Sequence, residues 1–299
     1  MTGSLAVLVN PAAGRGRHRG ELAGILDRLR GTGRPVEVLS PERAGLVPVA
    51  CRAALEAGAT ALVAVGGDGT VHLGLQAVAG TGVPFGIVPA GTGNDIAANL
   101  GLPGTVAAAT SAIVTALAQR RTRVLDLGRA ELADGTLRWF AGVLGAGFDA
   151  LVNERANGMR HPRGPRRYDV AIVAEMLGLR PRRYTIGLDG TATAVDGVLV
   201  AVGNTPAYGG GYRICPAADP TDGLLDVTIG GQFSRAGLLR ILPRVRRGTH
   251  VGHRLVSCHQ AGTVTLDAEG IVAYADGERL GPLPLTATAV PGALTLLGP

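Results

Sequence analysis

Residues 61–103 hold one design twice in succession: a short apolar strand, a glycine-rich loop carrying an Asp, then a helical run. In the first copy Ala61–Val65 is the strand and Gly66-Gly67-Asp68-Gly69-Thr70 the loop. Val71, Leu75 and Val78 follow at the spacing of a buried helix face. In the second, Phe85–Val88 is a strand fenced by Pro84 and Pro89, and Ala90-Gly91-Thr92-Gly93 is the loop. Asn94-Asp95 then stands in capping position before a helix whose Ile96 and Leu100 sit four apart. In open α/β sheets ligands collect outside the carboxyl ends of the strands. Here two such ends both carry Gly, Thr and Asp.

Glycines let a backbone approach a ligand closely and turn its amides toward phosphate oxygens. The helix start behind each loop adds a dipole and unpaired donors. An Asp beside such a nest repels bare phosphate, so it fits that chemistry mainly with Mg²⁺ between them. Either loop alone reads equally well as a tight turn; two in tandem favour a phosphate site.

All 29 basic residues of the 299 are Arg. That removes a Walker-A lysine, a Schiff-base lysine and the usual protein-kinase strand lysine. Any phosphoryl transfer here must draw its positive charge from Arg. The net charge of +6 and pI near 9.9 favour anionic partners such as nucleotides, acidic lipids or nucleic acid. Cys51, Cys215 and Cys258 are odd in number and lack CxxC spacing, so they read as buried small hydrophobes in a reduced compartment. Leu5–Val9 has no basic region before it and reads as a strand rather than a signal peptide. No stretch approaches the ~20 apolar residues that span a bilayer. A soluble or peripheral protein is expected, placed in the cytoplasm with peripheral membrane association open.

The length suggests two domains or one large one. Alternating strands and helices run from Leu5–Val9 through a helix with Leu22, Ile25, Leu26 and Leu29 on one face. Val36–Leu39 follows as a strand, then a helix around Val49 to Glu56 and the two central loops. Beyond them come a helix from Thr105 to Arg120 and a strand at Arg123–Leu127. This alternation predicts a Rossmann-like α/β domain with a parallel sheet over 1–127, to which 286–299 is a candidate to return. From Gly128 onward strands crowd together: Gly128–Ala133, Thr136–Val143, Arg183–Leu188, Ala192–Gly203, Gly223–Ile229, Arg254–Cys258, Thr263–Leu266, Ile271–Ala275 and Leu283–Val290. Turn pairs such as Asp134-Gly135 and Asp189-Gly190 separate them. An antiparallel β-sandwich over 128–285 is expected, with helical insertions near Arg167–Leu179 and Arg235–Arg246.

Further motifs lie along the chain. Asn10-Pro11-Ala12-Ala13-Gly14-Arg15 follows the first strand as another glycine turn or phosphate-facing loop. Gly145-Ala146-Gly147-Phe148-Asp149-Ala150 mimics a dinucleotide fingerprint but sits in the β-rich half, where that reading is weak. Pro206 to Val227 carries Gly209-Gly210-Gly211 and then Asp222-Gly223-Leu224-Leu225-Asp226. Asp276-Gly277-Glu278 places carboxylates at i and i+2, which a tight turn can point to one side. The histidines show no metal-ligand spacing. Arg160, Arg163, Arg166, Arg167, Arg180, Arg182 and Arg183 form one basic cluster; Arg240, Arg244, Arg246 and Arg247 form another. Each reads as a solvated face or as a surface for an anionic membrane.

GGDGT at 66–70 and PAGTGND at 89–95 resemble the diacylglycerol-kinase-type lipid kinases, which include sphingosine and ceramide kinases. GGDGT alone is shared with NAD kinases and phosphofructokinases; the pair at this spacing is specific. NPAAG, GFDA, GGG…DGLLD and DGE follow in the family's order, so the resemblance spans nearly the whole chain. It implies ATP-dependent transfer of a γ-phosphate to a hydroxyl of diacylglycerol or a related lipid, with catalysis in the cleft between the domains. Nucleotide contacts are implied at Asn10, Pro11, Gly14, Arg15, Gly66, Gly67, Asp68, Gly69, Thr70, Gly91, Thr92, Gly93, Asn94 and Asp95. Asp68, Asp95 and Asp126 are implied to organise catalytic Mg²⁺. Asp222, with the carbonyls of Asp219 and Leu224, is implied to hold a structural Mg²⁺. Asp276 is implied as the group that takes the acceptor's proton, with Glu278 and Asp68 also in the catalytic set.

The family often carries Arg three residues after the GTGND Asp, where this chain has Ala98. Three alternatives stay open: a kinase of a soluble hydroxylated metabolite, an NAD-kinase-like enzyme, and a non-catalytic lipid- or nucleotide-binding relative. No nucleic-acid partner is expected, and a homodimer is left open.

Overall fold

Leu5–Val9 has no polar residue, and as strand β1 it is buried along its whole length. The structure, a computed structural model, describes residues 3–9, 19–159, 161 and 166–298. The chain divides into two compact units, Met1–Leu127 with Val290–Pro299, and Gly128–Ala289.

In the first unit α1 (Arg19–Arg30), β2 (Val36–Leu39), α2 (Val47–Glu56), β3 (Ala61–Gly66), α3 (Asp68–Val78), β4 (Pro84–Pro89), α4 (Asp95–Asn99) and α5 (Val106–Gln119) follow in turn. The sheet order is β2-β1-β3-β4, parallel throughout, with Leu5 opposite Ala61 and Leu62 opposite Phe85. Successive strand residues face opposite ways, and each face receives helices. Ile25 and Leu29 of α1 join Ile113 and Ala116 of α5 over Val7, Val63 and Val88. On the other face α3 lies close enough that a Cβ on Gly74 would meet Phe85 and Leu8 at 3.1 and 3.4 Å. Thr105 caps α5 by accepting the Ala108 amide.

The second unit begins within β5 (Thr122–Leu132) and continues through β6 (Leu137–Phe140), β7 (Val143–Gly147), α6 (Phe148–Gly158), α7 (Arg166–Leu177), β8 (Arg182–Leu188), β9 (Thr191–Gly197) and β10 (Leu199–Gly203). Then come β11 (Leu225–Gly230), α8 (Arg235–Arg247), β12 (Val256–Ala261), β13 (Thr263–Asp267), β14 (Val272–Ala275), β15 (Glu278–Pro282) and β16 (Leu285–Leu297). One antiparallel sheet runs β12-β11-β10-β7-β14-β15. The facing sheet contains β16-β13-β8-β9 together with the β5–β6 pair. Leu144, Val200 and Val227 from the first sheet pack against Tyr184, Ile186, Val264 and Leu285 from the second. Each fully buried aliphatic side chain there contributes about 1.5–3 kcal/mol. The last residues of β16 return to the first unit, where Thr295 pairs with Pro84 in parallel.

Several expected elements change form. Thr136–Val143 is two strands, not one: β6 pairs with β5, and β7 joins the other sheet. The break falls at Ala141 and Gly142, whose amides both go to the Asp276 carboxylate instead of a ladder. Ala192–Gly203 likewise divides at Val198 into β9 and β10, which belong to different sheets. Arg123–Leu127 and Gly128–Ala133 merge into β5, with Gly128 lying under the Phe140 ring, where a Cβ would be only 2.0 Å away. Helix α6 was not expected. Cys258 is exposed on β12 rather than buried, whereas Cys51 and Cys215 are buried.

Candidate active site

The two glycine loops meet backbone to backbone. β3 and β4 end side by side, with Gly66 opposite Pro89 and the Ala90 amide donating to the Gly66 carbonyl at 2.9 Å. Just beyond, a Cβ built on Gly91 would lie 2.3 Å from the Gly67 Cα. Neither glycine has a positive φ. They are needed for close approach, not for conformational freedom. Gly66 is crowded from beneath by Thr70, which is buried with its hydroxyl 2.4 Å from where a Cβ would stand.

Asn94 sits in the left-handed region at φ 60 and folds its side chain back on the loop. Its Oδ1 accepts the Gly91 amide at 2.9 Å, and its Nδ2 donates to the Gly91 carbonyl at 3.3 Å. Asn94 therefore does not cap α4 with its side chain, contrary to expectation. The carboxylate that serves the first turn of α4 is Asp68, whose Oδ1 accepts the Ile96 amide at 3.0 Å. Burial raises the Asp68 pKa, and the neighbouring Asp95 charge adds to that; the amides of Ile96, Asp95 and Asn94 oppose it. A Cβ on the exposed Gly93 would lie 3.0 Å from Asp68 Oδ2 and 3.8 Å from Asp95 Oδ2. Two like-charged oxygens thus border one exposed point. That donor set suits a hard divalent cation that keeps several of its waters.

Asp126 is buried on β5 and accepts the Gly292 amide at 2.8 Å, which anchors the turn in β16 where Gly292 takes φ 64. Ala98 is exposed on α4. Asn10, Pro11, Gly14 and Arg15 lie outside the described residues. The strand preceding them, β1, ends beside β3, with Val9 opposite Val65.

In the second unit Asp276 and Gly277 form the turn between β14 and β15, with φ 53 and 82. Positive φ at both central residues is what a type I′ hairpin demands, and Asp-Gly is a preferred pair for it. The Asp276 carboxylate accepts Gly142 N on Oδ1 at 2.8 Å and Ala141 N on Oδ2 at 2.9 Å. Glu278 is exposed at the start of β15. Asp276 is thus anchored while Glu278 faces solvent.

Asp222 Oδ1 accepts the Leu224 amide at 2.9 Å, and Asp219 Oδ1 accepts the Thr221 amide and hydroxyl at 3.0 and 2.6 Å. Gln260 Nε2 reaches both Asp222 Oδ2 and Asp226 Oδ2, at 3.4 and 3.1 Å. Asp226 has a raised pKa, first from burial and then from the Asp222 charge. Oxygen-only donors with an uncompensated like-charge pair fit a divalent cation here. Among the described residues no cluster of three or more His, Cys, Asp or Glu side chains forms a metal site, so carbonyls and water would have to complete either coordination.

Asp149 belongs to the Gly145–Ala150 fingerprint mimic, whose last four residues are the GFDA of the family resemblance. It lies in the first turn of α6, where burial pushes its pKa up to about 6 against the Ala150 amide and the Tyr208 hydroxyl. Gly145 is glycine because Asp149 Oδ2 would lie 2.0 Å from a Cβ there. Near it, Phe148, Leu151, Leu179 and Val198 line a small cavity of about 60 Å³ rimmed by Arg180 and Arg182.

Residues 4–130 match the family described as "Diacylglycerol kinase catalytic domain". Residues 142–298 match "YegS C-terminal NAD kinase beta sandwich-like domain". A protein named diacylglycerol kinase from Mycobacterium tuberculosis (strain ATCC 25618 / H37Rv) is 43% identical over 298 residues, covering 99% of this chain and 96% of the relative. The chain belongs to the diacylglycerol kinase family. Diacylglycerol kinase from Bacillus subtilis (strain 168) is 25% identical over 93% of this chain and 90% of its own length. A crystal structure of a diacylglycerol kinase from Bacillus anthracis str. Sterne superimposes with TM-score 0.73 at 19% identity, covering 99% of this chain and 97% of that one. At that identity the likeness shows the fold: a parallel α/β sheet followed by an antiparallel sandwich. Membership places the chain in a family of diacylglycerol-kinase-like lipid kinases, which are phosphotransferases.

Proposed function

We propose that this family member transfers the γ-phosphate of ATP to a hydroxyl of diacylglycerol or a closely related lipid. The observation that carries the reading is the meeting of Asp68 and Asp95 around Gly93, where β3 and β4 end with Gly67 pressed on Gly91. Phosphoryl transfer asks a protein mainly for alignment and charge neutralisation. The crossed loops hold the nucleotide phosphates close to backbone, and α3, whose first turn has no side-chain cap, points its amides there. Asp68 and Asp95 would hold Mg²⁺, which supplies charge neutralisation and orientation when bound. Asp222, with the Asp219 and Leu224 carbonyls, would hold a second ion in a structural role.

Asp276 takes the proton of the acceptor hydroxyl as that oxygen bonds to the γ-phosphorus and the bond to ADP breaks. The two amides on its carboxylate fix its orientation, which a positioned base requires. Arg must supply the side-chain positive charge, since the chain has no Lys.

Lipid, rather than a soluble alcohol, is favoured by the surface of the second unit. Val170, Val173 and Leu177 stand 45%, 60% and 64% exposed at i, i+3 and i+7 on α7, one exposed apolar stripe. Five arginines are exposed on α8, which carries no acidic residue, and none of them pairs with a described carboxylate. Leu239 is exposed among them. Such a face suits adsorption to an anionic leaflet. Arg183 is a poorer candidate than the α8 set, because Asp196 lies 3.7 Å from it. No helix among the described residues is long and apolar enough to cross a membrane. ATP consumption screened against diacylglycerol, other lipids, NAD and soluble polyols tests the proposal. Stimulation by diacylglycerol is expected, and stimulation by NAD or a polyol alone would overturn it.

A further inference from the structure

Thr205 is fully buried, and its hydroxyl has no hydrogen-bond partner among the described residues. Buried hydroxyls are ordinarily paired, and Val has nearly the same shape without the desolvation penalty. The position of the hydroxyl explains its presence. Thr205 follows Asn204 directly after β10, and both backbone amides donate to the Gly142 carbonyl, at 2.9 Å from Asn204 and 3.3 Å from Thr205. The Asn204 side chain donates to the Ala141 carbonyl at 2.9 Å. This segment therefore holds the carbonyls of Ala141 and Gly142, the two residues whose amides hold the Asp276 carboxylate. A Cβ built on Gly142 would lie 2.7 Å from Asp276 Oδ1 and 3.8 Å from Thr205 Oγ1. The carboxylate and the hydroxyl border the same space, which Gly142 leaves free of any side chain.

We propose that Thr205 is a positioning residue for Asp276, its hydroxyl acting as the reserve donor to Oδ1 beside the Ala141 and Gly142 amides. The proposal rests on the reading of Asp276 as the group that takes the acceptor's proton. A further donor on the carboxylate holds its plane against rotation and keeps one lone pair directed at the acceptor. Thr205 touches neither nucleotide nor acceptor in this account.

Thr205→Val and Thr205→Ser variants of the full chain, compared with Asp276→Asn, test it. Thr205→Val should lower kcat about 10-fold, the scale of one hydrogen bond to a charged group, and leave KM for ATP unchanged. Its Tm should hold or rise, since an unpaired hydroxyl has been removed. Thr205→Ser should restore kcat. If folded Thr205→Val enzyme keeps the parental kcat, whatever its Tm, Thr205 is structural and the inference fails. An active Asp276→Asn would instead overturn the role of Asp276 itself, so the two failures are distinguishable.

Discussion

Asp68, the first residue of α3, accepts the Ile96 amide in the first turn of α4 at 3.0 Å. One carboxylate therefore ties the two strand–loop–helix repeats together. It also leaves its second oxygen beside Gly93, facing the same point as Asp95. The glycines around this bond are spacers that let two backbones touch, and the first prediction concerns them.

Gly91→Ala should cost about 1–3 kcal/mol through overpacking alone, because its methyl would lie 2.3 Å from the Gly67 Cα. ATP affinity should fall with it. Gly104→Ala is the control: a Cβ there meets nothing within 4 Å, so a change within about 0.5 kcal/mol is expected. Thermal melts with and without ATP check both. Equal behaviour of the two variants would contradict the contact.

Asp276→Asn should reduce kcat by ~10²–10⁴ and also lower stability. An amide offers one acceptor oxygen to the two backbone donors that the carboxylate now satisfies, and a buried donor left unpaired costs about 1–3 kcal/mol. Turnover per folded molecule, measured below the variant's Tm, separates the two effects. Near-parental turnover would make Asp68 the leading base.

Much of this arrangement is legible in the sequence, and the rest is hidden for identifiable reasons. The strands β1, β3 and β4 announce themselves as apolar runs, and the glycine loops follow them directly. The break at Ala141–Gly142 is not visible in Thr136–Val143, because the carboxylate that removes those amides from the ladder comes from Asp276, far along the chain. Asp68 capping α4 is hidden in the same way, since Asn94 stands in the local capping position but turns back to Gly91. Helix α6 lacks a clear apolar period, with Asn153, Glu154 and Arg155 at its centre. Cys258 reads as a small core residue, but β12 is an edge strand and exposes it.

The stability of the second unit should depend on pH through Asp149. Its folded pKa, about 6 against an ordinary 3.8, means the native state holds the proton more tightly than the unfolded chain. Stability should therefore fall as pH rises from about 4 to 6 and stay lower above that. Asp149→Asn should remove the effect, gaining at most about 3 kcal/mol at neutral pH and nothing near pH 4. Melts across that window check it; a variant that loses stability at neutral pH would show that Asp149 is favourably paired when charged.

Replacing Arg240, Arg244 and Arg247 on α8 with Ala should weaken sedimentation with anionic vesicles. At ~1 kcal/mol per Arg near the surface, the loss could reach about 3 kcal/mol at low salt and shrink as salt screens it. Binding to neutral vesicles and affinity for ATP should not change. Unaltered binding to anionic vesicles would place the membrane contact elsewhere.

The most direct test follows the phosphate. The full chain is incubated with γ-labelled ATP, vesicles containing diacylglycerol and anionic lipid, a soluble polyol and NAD, and the label is then located. The account predicts label in phosphorylated diacylglycerol, lost in Asp68→Asn and Asp276→Asn. Label in the polyol or NAD, with none in lipid, would contradict it.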